Sequence, residues 1–201
     1  MELVSELGAL PEGCSLTFSK DLATFNDQVA KGTLERLNAL FAALRENLTL
    51  GAFQLRDELS SLGSNVLQDI AEQLRISSYL YRDIESPYYI QEYQPPEDIQ
   101  VEDVYRTQDD IIVECNAQYD CTIEGFVFKS DAYDLEERDV GVRVTDWNWN
   151  EHYAEVEFHG TVRGKFLVRL AEDVNGEAGL GAGYSVESIE VLEALLEGDE
   201  Y

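Results

Sequence analysis

The spacing of apolar residues changes once along this chain of 201 residues. After Thr33, apolar residues recur at the three- and four-residue steps of an amphipathic helix. From Ile111 to Ile123 they alternate with polar residues, which is the two-residue period of a half-buried strand. The two periods together predict an α+β fold, in which an N-terminal helical region is followed by an antiparallel β-meander domain.

The predicted domain boundaries follow this change of period. Residues 1–86 are expected to form the helical region, whose apolar stripes pack as a small bundle. Four helices are predicted within it, over residues 19–31, 33–48, 53–62 and 64–84. Residues 87–98 include Pro95 and Pro96 and are expected to form an extended connector. Residues 99–196 are expected to form the acidic β domain.

Five strands are predicted in the β domain, over residues 99–106, 111–123, 140–146, 152–170 and 185–192. Turn residues separate them at 107–110 and 174–177. A straight strand over residues 152–170 would span roughly 60 Å, which is long for a domain of this size. Gly160 and Gly164 are therefore predicted to bend or bulge it.

Negative charge is concentrated in the second half of the chain. The protein has 41 Asp/Glu and 14 Lys/Arg, a net charge of −27, and residues 85–201 hold 29 of the acidic and 7 of the basic residues. Such a surface attracts basic proteins and repels nucleic acid, so we expect a basic protein partner and no direct nucleic-acid contact. Only 4 of the basic residues are lysine, so a GC-rich or salt-adapted genome is an alternative source of the acidity.

The ends and the cysteines of the chain indicate its compartment. The first residues lack the features of a secretory signal, and no apolar stretch approaches the roughly 20 residues of a membrane span. Cys14, Cys115 and Cys121 show no CxxC spacing. We expect a cytoplasmic, reduced protein without disulfides and without membrane contact, and the helical region is a candidate surface for self-association.

The sequence contains no recognised motif for catalysis, phosphate binding or zinc binding. His152 and His159 are seven residues apart and would point to opposite faces of one strand, so they are not expected to chelate one ion. Cys115 and Cys121 fall on the apolar face of a strand and are expected to be inert. No catalytic residue, metal ligand or cofactor is therefore predicted.

Two neighbouring segments are the candidate partner-binding residues. The first is an acidic loop, for which solvation is the ordinary interpretation and cation binding a weaker one, because it lacks the glycine and the spacing of a calcium loop. The second holds both tryptophans, and is either a turn whose aromatic residues pack on the sheet or an exposed ledge that contacts a partner. The candidate residues are Asp131, Asp134, Glu136, Glu137, Asp139, Trp147, Trp149, His152 and Tyr153.

Two short motifs resemble a known module. The segment Phe126-Val-Phe-Lys-Ser-Asp131, followed by Asp146-Trp-Asn-Trp-Asn-Glu-His-Tyr153, is similar to the β-rich tail of some bacterial PIN-like proteins. The resemblance covers roughly residues 100–170. PIN domains are metal-dependent ribonucleases, but residues 1–84 show neither their βα alternation nor their carboxylate set. The resemblance therefore implies an appended module without the nuclease, and with it a regulatory or interaction role.

Three functional hypotheses follow from these features. The leading one is a non-enzymatic acidic protein that binds a positively charged protein partner, and one version of it is a DNA mimic or inhibitor. The second, implied by the resemblance, is an accessory or regulatory subunit of a bacterial defence or toxin–antitoxin system. The third is a hydrolase that uses Asp or Glu with His152.

Overall fold

The computed structural model describes residues 22–77, 81–107, 110–138, 141–173 and 183–197. Within these ranges the side chains of residues 22–29, 33, 36, 37, 136–138, 172 and 173 are not described. The chain divides into two compact units, Met1–Leu40 and Phe41–Tyr201. In the first, the described residues form the beginning of helix α1 (Leu22–Asn47), where Lys31 and Glu35 form an ion pair one helical turn apart.

The second unit contains the remainder of α1 and every other element that the structure describes. Its further helices are α2 (Leu55–Leu59), α3 (Ser64–Gln73) and α4 (Lys129–Arg138). Its strands are β1 (Thr49–Leu50), β2 (Phe53–Gln54), β3 (Leu74–Ile76), β4 (Glu85–Tyr93), β5 (Ile99–Arg106), β6 (Asp110–Phe128), β7 (Val142–Asp146), β8 (Tyr153–Asp173) and β9 (Gly183–Glu197).

One long strand pair is the centre of the fold. β6 and β8 pair antiparallel without interruption, from Phe128 opposite Tyr153 to Asp110 opposite Ala171. β4 and β5 both pair with β6, along different parts of it, and β7 and β9 share β8 in the same way. A separate hairpin of β1 and β2 makes a second, two-stranded sheet.

The inner face of the β6–β8 pair forms the core. It carries the odd-numbered residues of β6 and the even-numbered residues of β8, which are buried along most of the pair. Tyr119 is fully covered there, donates a hydrogen bond to the carbonyl oxygen of Leu59 in α2 (3.1 Å), and contacts Phe166 edge to face. Burial of aromatic and branched side chains on this face supplies the main driving force for folding.

The two glycines of β8 serve packing. The pairing of β6 with β8 is continuous through Gly160 and Gly164, so neither glycine forms the predicted bulge in this strand pair. A Cβ atom at Gly160 would lie 2.6 Å from a methyl carbon of Leu196, and one at Gly164 would overlap the ring of Phe166. The glycines are therefore sites where neighbouring side chains lie directly against the backbone.

The strand predictions are largely confirmed, but the meander is not. The five predicted strands appear as β5 to β9, and β5 has the predicted bounds. The chain combines helices with a sheet, as expected for an α+β protein. The sheet is mixed, because β3 pairs with β9 in parallel, and β6 pairs with β8 across the intervening β7. The turn predicted at 174–177 lies outside the described residues.

The helix predictions differ from the structure at their ends. The two helices predicted over 19–31 and 33–48 are one helix over its described part, because Gly32 continues it. Residues 53–62 contain strand β2 and the short α2. The helix predicted to reach residue 84 ends at Gln73, because Leu74 enters the sheet beside Ala194. The helical region 1–86 therefore includes strands.

The first part of the segment predicted as a connector, residues 87–98, is also part of the sheet. Residues 85–93 form β4, which pairs with β6 from Glu85 opposite Phe126 to Tyr93 opposite Cys121. Pro95 and Pro96 follow the end of this strand, where they cost no ladder hydrogen bond. Likewise, the acidic loop predicted near residue 131 is helix α4, because Ala132 and Leu135 share a helical face and are buried.

Candidate functional site: the outer face of the sheet

The second face of the β6–β8 pair, which we call the outer face, carries the polar residues. It presents the even-numbered residues of β6 and the odd-numbered residues of β8. Directly opposite residues on neighbouring strands project to the same side, so the flanking strands contribute to it as well. We call the end flanked by β5 and β9 the paired end, and the end flanked by β4 and β7 the aromatic end.

Positive charge on the paired end is neutralised within the sheet. Lys165 lies 2.9 Å from a carboxylate oxygen of Glu102 and 2.6 Å from one of Glu114, so one ammonium group joins three strands. The hydrogen bonds to Glu114 and Glu102 raise the pKa of Lys165. Hydrogen bonds from Lys165 and Asn116 lower the pKa of Glu102. Both groups therefore stay charged over a wider pH range.

The other basic residues of β8 are paired in the same way. Arg163 lies 2.8 Å from a carboxylate oxygen of Glu197, and Arg169 lies 3.0 Å from one of Asp110. The sequence places Arg163, Lys165 and Arg169 together on one polar face, and the structure shows each with an acidic partner. This cluster is not a free basic patch of the kind that binds phosphates.

The aromatic end carries exposed rings stacked on covered ones. The ring of Trp149 lies 4.1 Å from that of Phe126, and Tyr89 meets Phe126 edge to face at 6.4 Å. Phe128 stacks on Tyr153 at 4.4 Å. Phe126 is only 4% exposed, whereas Trp149, Tyr89 and Phe128 are 47%, 49% and 41% exposed. Aromatic area therefore faces solvent on a sheet surface.

The turn that carries Trp149 is held by side-chain hydrogen bonds. The carboxylate of Asp146 accepts the backbone N–H of Asn148 at 2.7 Å. The side-chain oxygen of Asn150 accepts the backbone N–H groups of His152 (2.8 Å) and Tyr153 (2.7 Å). Asx turns of this kind replace missing backbone hydrogen bonds and restrict the chain. Trp149 is thereby presented in a defined position.

Three carboxylates of the aromatic end are hydrogen-bonded to neutral donors. Glu124 accepts from the Gln91 amide at 2.6 Å, and Glu155 accepts from the Thr145 hydroxyl at 3.2 Å. Glu85 accepts from the phenol of Tyr153. Burial raises the pKa of Tyr153, and the hydrogen bond to Glu85 raises it further. Within the described residues, no Lys or Arg forms an ion pair with any of the three carboxylates.

One carboxylate of the aromatic end does have a cationic partner. Glu157 lies 2.7 Å from the guanidinium of Arg143 on β7. Glu124 is directly opposite Glu157 in the sheet, so this ion pair offsets one repulsive contact between like charges. The segments that build the aromatic end nonetheless contain nine Asp/Glu and two Lys/Arg. These segments are residues 85–93, 124–134 and 141–157.

The predicted site residues are divided by the structure. Trp149 and Tyr153 reach the outer face through their contacts with Phe126 and Phe128. Trp147 is stacked against Tyr133 of α4 at 4.7 Å, which links the two candidate segments. His152 is exposed, and its backbone N–H and carbonyl are bonded to Asn150 and Lys129.

The acidic candidates are distributed over α4 and beyond. Asp131 and Asp134 lie on this helix, where Asp131 is half-buried and Asp134 exposed. Glu136 and Glu137 are in the same helix but their side chains are not described, and Asp139 lies outside the described residues. Glu114 is not near these residues, because it belongs to the paired end and is bound by Lys165.

Several residues of the aromatic end were not predicted from the sequence as site residues. They are Glu85, Tyr89, Glu124, Phe126, Phe128, Tyr133 and Glu155. Phe126 and Phe128 do carry a signal, because they are large apolar residues on the polar phase of the β6 alternation. For Glu85 and Tyr89 no such signal exists, since their place depends on the pairing of β4 with β6.

The histidine and cysteine predictions have separate outcomes. Cys115 and Cys121 are free and buried on the inner face, as predicted, and burial raises the pKa of each thiol to about 12. Cys14 lies outside the described residues. His159 is exposed on β8, and its ring nitrogen is 3.0 Å from the Thr122 hydroxyl. Over the part of the chain that the structure describes, no three His, Cys, Asp or Glu residues are arranged to hold a metal.

Comparisons with protein-family models, with curated proteins and with solved structures return no match to this chain. The resemblance to PIN-associated tails therefore stays a prediction. Among the described residues, no helix has the length and apolar character needed to cross a bilayer.

Proposed function

We propose that this chain is a non-enzymatic acidic interaction protein that binds a positively charged protein partner. The observation that supports this most directly is a difference between the two ends of the outer face. Basic side chains neutralise the carboxylates at one end much more than at the other. At the paired end, Lys165, Arg163 and Arg169 are already bound to carboxylates of the same sheet. At the aromatic end, Glu85, Glu124 and Glu155 have neutral donors instead.

This difference means that a basic partner is attracted more strongly to the aromatic end than to the paired end. A chain with a net charge of −27 repels itself and other acidic molecules, and its negative potential is weakest where basic side chains neutralise it. The aromatic end retains its negative charge next to exposed aromatic area. Electrostatic attraction accelerates the encounter with a basic surface, and apolar contact then slows dissociation.

The test compares two charge reversals of equal size. Asp134→Lys/Glu136→Lys/Glu137→Lys changes helix α4 beside the aromatic end, and Asp69→Lys/Glu187→Lys/Glu190→Lys changes exposed positions on α3 and β9. Each variant moves the net charge from −27 to −21. The probe is a synthetic twelve-residue peptide in which basic residues alternate with glycine, with Lys and Arg in equal number. Its association rate is measured by stopped-flow tryptophan fluorescence at 20 and 200 mM NaCl.

The proposal predicts that the α4 variant associates more slowly at low salt than the control variant does. The difference should shrink at 200 mM NaCl, because the Debye length falls below about 10 Å there. Equal rates for the two variants would show that net charge alone governs binding. No association of the unmodified protein with the peptide at 20 mM NaCl would contradict the proposed function itself.

A further inference from the structure

We propose that the aromatic end recognises arginine side chains, carried at alternate positions of an extended segment of the partner. This inference rests on the proposed function and names the chemistry of the partner. The site consists of the exposed rings of Trp149 and Phe128 and the carboxylates of Glu85 and Glu155.

The carboxylates flank the aromatic platform on both sides. Glu85 of β4 and Glu155 of β8 are each directly opposite Phe126, so three neighbouring strands present acid, ring and acid in one row. Trp149 covers Phe126 and exposes nearly half of its own surface. A cation placed over the tryptophan ring is attracted by the ring and by carboxylates from two directions.

Comparison with the paired end shows that, among the described residues, the aromatic end lacks a cation between its carboxylates. There, the ammonium group of Lys165 sits between the carboxylates of Glu102 and Glu114. On the same face at the aromatic end, the described residues supply no cation to Glu85 or Glu155. A cation from a second protein would complete the pattern that the chain completes for itself at the paired end.

A guanidinium fits this surface better than an ammonium. It is planar, so it stacks on an aromatic ring while its five N–H groups donate in the ring plane to carboxylates. Ammonium is a compact, strongly hydrated charge and gains less from an aromatic surface.

The spacing of the rings indicates an extended segment. Phe126, which lies beneath the ring of Trp149, and Phe128 are two residues apart on one strand, so the two ring positions repeat at roughly 7 Å along it. Alternate residues of an extended peptide have the same repeat. An Arg-Gly-Arg-Gly sequence can therefore place successive guanidinium groups on successive platforms.

The test uses two peptides that differ only in the cation. The probes are (Arg-Gly)4 and (Lys-Gly)4, with blocked ends, and Kd is measured by isothermal titration calorimetry at 50 mM NaCl with the full chain. The expected result is tighter binding of the arginine peptide by up to about fivefold, the full size of one ring–cation contact at an exposed site, because the ammonium gains less from the ring.

Matched variants locate the preference. Trp149→Leu and Phe128→Leu keep apolar cover but remove a ring, and each should reduce the arginine preference. Tyr105→Leu removes an exposed ring from the outer face at the paired end, where Tyr105 is 38% exposed opposite Ile112, and should leave the preference unchanged. Glu155→Gln should weaken the binding of both peptides, whereas Glu190→Gln on β9 should weaken it less.

The outcomes separate the inference from the proposed function. Equal Kd values for the two peptides, or an equal loss in Tyr105→Leu and Trp149→Leu, would overturn the arginine site while leaving charge recognition in place. Failure of both peptides to bind the unmodified chain would overturn both proposals. Circular dichroism of each variant identifies loss of fold, and the Glu155→Gln and Glu190→Gln pair tests the site without removing a ring.

Discussion

At the scale of single residues, small side chains determine how the core closes. Gly164 lies between Ala117 of β6 and Ala194 of β9, so three small residues form one row across the sheet. Phe166, two residues along the same strand, folds its ring over Gly164 and is fully buried. The absence of a Cβ atom at residue 164 is what makes room for the ring.

Replacing Gly164 with alanine should destabilise the protein by about 1–3 kcal/mol, because an added methyl group overpacks a dense core. Urea unfolding measures the change, with Gly32→Ala as the control. Gly32 lies in α1 with no atom near its Cβ position, so the same substitution should be neutral or stabilising there. A Gly164→Ala variant as stable as the original protein would show that the Phe166 ring has room to move.

At the scale of elements, one lysine connects the strands of the paired end. Lys165 of β8 contacts Glu102 of β5 and Glu114 of β6, although β5 and β8 are on opposite sides of β6. Its side chain is 32% exposed, so solvent screens the pair only in part. Losing it would leave two carboxylates close together without a counterion.

Lys165→Gln should therefore lower the melting temperature at pH 7, and the deficit should narrow in acid. The contacts with Lys165 hold the pKa of Glu102 below its ordinary value. This contribution to stability is present above the unfolded-state pKa of Glu102 and is lost as the pH falls through the lower, folded-state pKa.

Thermal unfolding from pH 7 down to pH 3 measures this convergence. Lys31→Gln is the control, because the 4.0 Å pair of Lys31 with Glu35 is well exposed and should have little effect at any pH. A deficit for Lys165→Gln that stays constant down to pH 3 would exclude the carboxylates as its cause.

At the scale of the whole molecule, the charge opposes the fold. Two long strands give the protein a continuous apolar inner face, but the net charge of −27 is confined to a chain of 201 residues. Mutual repulsion of this excess raises the free energy of the compact state. The ion pairs of the paired end relieve this repulsion locally, whereas Glu85, Glu124 and Glu155 of the aromatic end have no such partner among the described residues.

Added salt should therefore raise the melting temperature of the free protein while weakening its complex with a basic peptide. Screening reduces the internal repulsion and the attraction to a cation alike. Scanning calorimetry from 10 to 300 mM NaCl measures the first effect. The Asp69→Lys/Glu187→Lys/Glu190→Lys variant, with a net charge of −21, should show a smaller rise, and equal rises would exclude net charge as the cause.

The sequence by itself determined the inner face of the sheet, the free buried cysteines and the concentration of charge. These features depend on local periodicity and composition. The alternation over residues 111–123 and 152–170 is long enough to specify which side chains of β6 and β8 face the core. The polar positions of the same alternation also place Arg163, Lys165 and Arg169 on one face of β8. Their acidic partners could not be predicted in this way.

Only the tertiary structure decided how the strands combine and where the candidate site lies. Leu74 leaves its helix because β9 offers a parallel partner, and residues 85–93 become a strand because β6 extends beyond β5. Glu85 meets Phe126 across 41 residues of sequence, and no local pattern encodes such a contact. The free energy that selects these pairings comes from burial between distant segments, which outweighs local propensity.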